Sequence, residues 1–429
     1  MTDDDATTFH RRVAEELGAR YGSDERAPKG WREVQTWHWE QAGAYTSAIE
    51  AALAITETRI TRLDFGSARR WTERVLTLLE HIDVAERTPY ELRACALALA
   101  VLEFGGQYRE GLEYARRMLR AAQRSGNAEA EARALLGVGR MQRELGQLVQ
   151  AEAALLSARD LAARDELSDL EVEARLHLAK VHQLQGRHLE ALQELQLARE
   201  EHEGEEQADD DKLRLARVLT GIGDVYRVLG AYQEAFTFYT RALTLEQGRG
   251  SLIGQAILKD KLALVLLNQN KPSDALVSAE ESLHLRQRIN DIVGQARSYT
   301  VIGSIMSWLG RHEHAMEAYK RAYELQELTQ NPRGQCIALI HLGDAAYALR
   351  QYQAAAASYE RALILARRDR DQIGIARALE QLGDLHSAQD QQAQALICWK
   401  EALQIRDALR HVDEAAALRR RIRTIQPTE

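Results

Sequence analysis

Apolar side chains recur along this chain at helical spacing, and the stripes come in pairs. Leu219, Ile222, Val225, Tyr226 and Leu229 fall on one helical face, Gly230 interrupts, and Tyr232, Phe236, Tyr239, Leu243 and Leu245 form a second stripe. This pattern predicts two antiparallel helices joined by a tight turn. The pair repeats at a fixed interval: small residues stand at Gly139, Ala179, Gly223, Ala263, Gly303, Gly343 and Gly383, in steps of 40, 44, 40, 40, 40 and 40. A second ladder keeps the same steps from Gly111 and Ala151 through Ala191, Ala235, Ala275, Ala315, Ala355 and Ala395. A third runs Ala158, Ala198, Ala242, Ser282, Ala322, Ala362, Ala402. Self-similarity of this kind marks a solenoid, in which one hairpin cannot bury its own apolar face and stacked hairpins bury each other's. Small residues allow close approach where helices cross.

The breakers fit this scheme. Gly106, Gly146, Gly186, Gly230 and Gly310 fall at the hairpin turn, where a helix C-terminus favours glycine. Pro89, Pro272 and Pro332 are expected in first turns, where a missing N–H costs nothing, so that no proline interrupts a helix interior.

Composition agrees with an all-α fold: five prolines among 429 residues, 6% aromatics and 45% hydrophobic residues. The formal net charge of −8 opposes the phosphate neutralisation on which nucleic-acid affinity rests, so nucleic acid is not an expected partner. Cys95, Cys336 and Cys398 each fall within a helical stripe and are expected to be reduced core thiols. The acidic start Asp3, Asp4, Asp5 is the reverse of a secretory leader, and no stretch reaches the length of a membrane span, from which a cytoplasmic location and no membrane contact are expected.

Gly223, Tyr226, Ala235, Tyr239 and Ala242 have the spacing of the tetratricopeptide motif, repeated in Gly303, Ala315, Tyr319, Ala322 and in Gly343, Ala355, Tyr359, Ala362, with Trp399 replacing the tyrosine after Gly383. The chain thus resembles the tetratricopeptide-repeat proteins. Its 40-residue unit, with Gly254, Gly294, Gly334 and Gly374 opening first helices, is similar to the long repeats of polarity adaptors and kinesin light chains. That resemblance implies a right-handed superhelix of about eight hairpins whose concave groove holds an extended peptide. The asparagine ladder of that subgroup is missing, with only Asn268 near such a position.

Outside the array, residues 1–88 are expected to form an irregular helical start. Phe9 to Ala14, Trp37 to Gly43 and Arg69 to Trp71 loosely resemble the helical region of large signal-transducing ATPase regulators, although no phosphate-binding loop is present. Hairpins one to three are assigned to 89–203, an acidic loop to 204–211 within the run Glu203 to Asp211, hairpins four to eight to 212–409, and a capping helix with Arg419, Arg420, Arg421 and Arg423 to 410–429.

The search for chemistry yields neither a catalytic constellation nor a metal set. His177, His182 and His188 have no fixed carboxylate or cysteine partner in sequence, and His312 and His314 point about 200° apart on a helix. No enzyme activity, metal or cofactor is expected. The remaining candidate is the groove. By family analogy its lining residues precede the small residue by six and three and follow it by one and four. Those offsets select Arg133, Arg140, Arg143, Lys180, Arg217, Asp224, Arg227, Ile257, Leu264, Leu267, Arg297, Ile337, Ile340, Asp344, Tyr347, Arg377, Glu380 and Asp384, with Trp308 one place further on. The lining is basic first, apolar and aromatic in the middle, and acidic last, an order that would orient a ligand. The expected function is a scaffold or adaptor holding a protein or peptide partner. The alternatives are a sensor module of a signalling regulator and an enzyme with an unrecognised site.

Overall fold

The computed structural model describes residues 3–22, 28–61, 64–200, 209–409 and 411–425, and contains no strand among them. The chain divides into two compact units, residues 1–141 and 142–429.

The first unit comprises α1 (Asp3–Tyr21), α2 (Trp31–Gln41), α3 (Tyr45–Thr61), α4 (Phe65–Leu78), α5 (Val84–Phe104), α6 (Tyr108–Ser125) and most of α7 (Ala128–Glu144). The start of the chain is more regular than expected. Each of the first five helices packs on the next, and α5 also meets α3, so α3 and α4 stack like a further hairpin. Ile49, Leu53, Val75 and Leu79 form their shared interior. Arg69 of α4 reaches Glu110 of α6 at 2.9 Å, and Phe65 stacks on Phe104 with centroids 3.9 Å apart. Pro89 departs from expectation: α5 begins at Val84, so the proline lies inside the helix. Its missing N–H forgoes one bond to the preceding turn.

The second unit continues with α8 (Leu148–Arg164), α9 (Ser168–Leu184), α10 (His188–Glu200), α11 (Asp209–Val228), α12 (Tyr232–Gly248), α13 (Leu252–Asn268) and α14 (Pro272–Arg288). It ends with α15 (Ile292–Trp308), α16 (His312–Leu328), α17 (Pro332–Ala348), α18 (Tyr352–Asp369), α19 (Gln372–Ala388), α20 (Gln392–Ala408) and α21 (Val412–Ile425). In this unit α9 to α20 make six hairpins, followed by the single helix α21. Pro272 and Pro332 open α14 and α17 as the sequence predicts. Most of the acidic loop, residues 203–208, lies outside the described residues, while Asp209 to Asp211 open α11.

The hairpin turn always needs one left-handed residue. Glycine supplies it at 106, 146, 186, 230 and 310, with φ between 71° and 77°, whereas Asn270, Arg350 and Asp390 adopt φ of 59–62° in the hairpins that lack glycine. First helices of neighbouring hairpins touch one another, α9 with α11, α13 with α15 and α17 with α19, while the strongest packing of each second helix is with the first helices that flank it. The first helices of this unit therefore form its inner layer.

The small-residue ladder is explained by rings. A Cβ added to Gly223 or Gly303 would sit 2.5 Å from Cε1 of Tyr239 or Tyr319, and Gly343 and Gly383 are covered as closely by Tyr359 and Trp399. Each ring also sends its polar tip to the residue after the glycine: Tyr239 donates to Asp224 at 2.7 Å, Tyr359 to Asp344 at 2.8 Å, Trp399 to Asp384 at 3.0 Å and Tyr319 to Ser304 at 3.3 Å. The ladder of Gly254, Gly294 and Gly334 has another cause. Glu246, Arg286 and Gln326, all buried, lie across those three helix starts and leave no room for a side chain.

Two contacts in the second unit are far from nearest-neighbour. Glu144, at the end of α7, pairs with Arg333 at the start of α17, and Gly146 in the following turn lies against Leu409 at the end of α20. The stack bends back until its first turn meets its late hairpins.

Candidate functional site

The predicted groove residues separate into three environments. Arg133 and Arg140 belong to the first unit, where Arg133 pairs with Glu129 on its own helix at 2.8 Å and Arg140 with Glu103 of α5 at 3.2 Å.

On the inner layer of the second unit, α9, α11 and α13 border a partly open cavity of about 510 Å³. Arg143, Lys180, Arg217, Asp224 and Ile257 of the predicted set line it, together with Leu176, Leu195, Leu213, Ile253 and Leu258. Its charges are arranged unevenly. Burial pushes the Asp224 carboxyl upward, but Lys261 at 2.5 Å, nearby Lys180 and the Tyr239 hydroxyl outweigh it and hold the group below the usual carboxylate range. Arg217 pairs with Glu173 at 2.8 Å. Arg143 is held by Glu144 at 2.5 Å and lies 3.1 Å from His177. Lys180 makes no ion pair among the described residues. Its ammonium touches solvent yet is ringed by protein on the inner side. That enclosure pushes it below the ordinary lysine value; Asp224 pulls it back, and Lys261, Arg143 and Arg227 push it down again. Arg227 hydrogen-bonds the Tyr239 ring hydroxyl, and Arg297, further along on α15, is exposed.

The middle of the array is less apolar than expected. Trp308 is 48% exposed and Tyr347 37%, and Leu264 and Ile337 are partly covered. Leu267 and Ile340, however, are only 8% and 1% exposed. Leu267 packs with Ile305, Val301 and Ile302 of α15, and Ile340 with Leu379 and Leu382 of α19. Both therefore hold neighbouring first helices together and do not face the groove.

The far end is closed by α21. Asp344, Tyr347, Tyr359, Asp384 and Trp399 line a second cavity of about 630 Å³ with Arg420 and Arg421. Asp384 pairs with Arg421 at 3.1 Å and Glu380 with Arg406 at 2.7 Å, so the acidic end is largely answered by the chain's own arginines. Arg377 is half-buried beside Cys336. The offsets from the small residues pass over Lys261 and Arg421, which structure these cavities: Lys261 stands at an intermediate helical position, and Arg421 comes from the terminal helix. Among the described residues no group of three or more His, Cys, Asp or Glu could hold a metal ion.

This architecture, stacked helical hairpins with an exposed inner layer, defines an α-solenoid of the kind that presents a groove. Family models of the tetratricopeptide repeat match residues 171–247 and 296–327, so the hairpins within those stretches are tetratricopeptide repeats. No curated protein matches the sequence. Among solved structures, the chain is similar to the apo form of the quorum sensor NprR from B. thuringiensis, at 15% identity over 83% of this chain and 92% of that one, with a TM-score of 0.53. It is also similar to aspartyl phosphate phosphatase F from Bacillus subtilis, at 13% identity over 85% and 95%, TM-score 0.51. At these identities the likeness is one of fold.

Proposed function

We propose that this chain is a non-catalytic scaffold or adaptor that docks a protein or peptide partner on the inner layer of its second unit. The observation that carries this reading is the pair of exposed aromatics Trp308 and Tyr347 on neighbouring first helices, in an array that otherwise buries Tyr239, Tyr319, Tyr359 and Trp399 almost completely. Exposed aromatics combine large contact area with few rotatable bonds and are the usual anchors of an interface. Flanking charge, basic around Lys180 and mixed around Asp344 and Asp384, supports a fixed direction for the partner. The partner would meet the groove where the chain is, with no membrane-spanning helix among the described residues.

The test is capture of the native partner by wild type and by the double variant Trp308→Ala, Tyr347→Ala. Binding should weaken by about 2 kcal/mol or more while helicity is unchanged. Undiminished capture would move the interface off the inner layer. A second reading, a sensor module within a signalling system, is favoured by one feature: the partly open cavity at Lys180, which has the dimensions of a small-molecule site.

A further inference from the structure

Beyond the docking groove, the cavity between α9, α11 and α13 has a chemistry of its own. Its apolar walls are aliphatic, formed by Leu176, Leu195, Leu213, Ile253, Ile257 and Leu258, with no Phe, Tyr or Trp among the residues that line it. Its volume of about 510 Å³ falls in the range of sites for small organic ligands and can take a long alkyl chain.

One edge of this aliphatic chamber is cationic, and its carboxylates are already engaged. Asp224 is held by Lys261 and Tyr239, and Glu246 by Arg249 at 3.1 Å. Lys180 is the exception on the cationic side, an ammonium in a partly enclosed site that makes no ion pair among the described residues. An ammonium that no carboxylate already pairs can take one from a ligand. The same enclosure strengthens any charge-assisted bond formed there relative to one in open water.

We propose that this cavity binds a small aliphatic carboxylate, its alkyl body against the leucine and isoleucine walls and its carboxylate on Lys180, with Arg143 as second donor. The site rests on the inner layer that the docking reading also uses, but it shares neither Trp308 nor Tyr347. Ligand occupancy would thereby be sensed next to the groove and not compete for the aromatic anchors.

Titration calorimetry of the full chain with dodecanoate, dodecanol and dodecylammonium, each below its micellar concentration, tests the proposal. One dodecanoate per chain should bind, the alcohol at least about tenfold more weakly, and the ammonium not measurably. Lys180→Gln should reduce dodecanoate affinity at least about tenfold with an unchanged melting curve, whereas the Trp308→Ala, Tyr347→Ala variant should bind dodecanoate as wild type does. Equal binding of acid and alcohol, or indifference to Lys180→Gln, overturns the proposal. So does binding confined to a peptide such as acetyl-Leu-Ile-Leu with a free C-terminus, because the cavity would then be a stretch of the peptide groove. If dodecanoate fails while the aromatic variant still loses its partner, the docking reading stands alone; if dodecanoate binds and the aromatic variant keeps its partner, only the cavity stands.

Discussion

The contact between a bare glycine and an aromatic ring recurs at Gly223, Gly303, Gly343 and Gly383, and it decides more than packing. The ring can lie flat on the first helix only because no Cβ stands there, and lying there it aims its hydroxyl or indole N–H at the following residue on the inner layer. In these four hairpins one residue pair thus sets both the packing and the polar lining of the inner layer. Gly343→Leu should force Tyr359 out of place and cost about 3 kcal/mol or more, beyond ordinary overpacking, as read from urea melts. Tyr359→Phe keeps the ring and removes only the bond to half-exposed Asp344, so its cost should be about 1 kcal/mol. A Phe variant as damaged as the Leu variant would show that the hydrogen bond, and not the close approach, governs the hairpin. The small residues were legible in the sequence as a ladder. Their reason was not, because a spacing of 40 does not say which side chain leans on the gap. The offset rule that placed Leu267 and Ile340 in the groove failed in the same way: an offset fixes an angle around the helix, while burial depends on how closely the next first helix approaches.

At the scale of elements, the array must end, and α21 ends it. Leu418 is 1% exposed and joins the cluster of Leu379, Leu382 and Trp399, with Ile422 and Ile425 packed alongside, while Arg419 and Arg421 reach Asp407 and Asp384. The helix covers the apolar face that a further hairpin would otherwise need to cover. Leu418→Ala should cost about 2–4 kcal/mol, and the loss should appear first as faster amide exchange in α19 and α20. Exchange unchanged in those helices would make α21 an ornament of the fold. The hairpins and the cap were readable from period and composition, since both depend on local pattern. The stacking of α3 and α4 onto α5 was not, because those helices lack the glycine and ring signature and are joined to the array only by apolar shape and by pairs such as Arg69 with Glu110.

At the largest scale, the clasp formed by Glu144 with Arg333 and by Gly146 with Leu409 links segments 189 residues apart or more. Burial raises the Glu144 carboxyl, but Arg143 and Arg333 outweigh it and hold its value below the ordinary one. A depressed folded value contributes stability that is present above the unfolded value, about 4.3, and is lost as pH falls through the folded one. Glu144→Gln should therefore be less stable than wild type by roughly 2 kcal/mol at pH 7, and the difference should shrink below about pH 4. A gap that stayed constant with pH would mean the carboxylate charge is not what holds the clasp. If a partner docks as proposed, the clasp should also govern time: a long polypeptide would reach the inner layer by threading past the pinned segments or by waiting for them to part, whereas a small molecule would need neither. Observed association rates for a long partner should level off with rising partner concentration at the rate of clasp opening, those for a short ligand should keep climbing, and Glu144→Gln should lift the plateau of the first without touching the second.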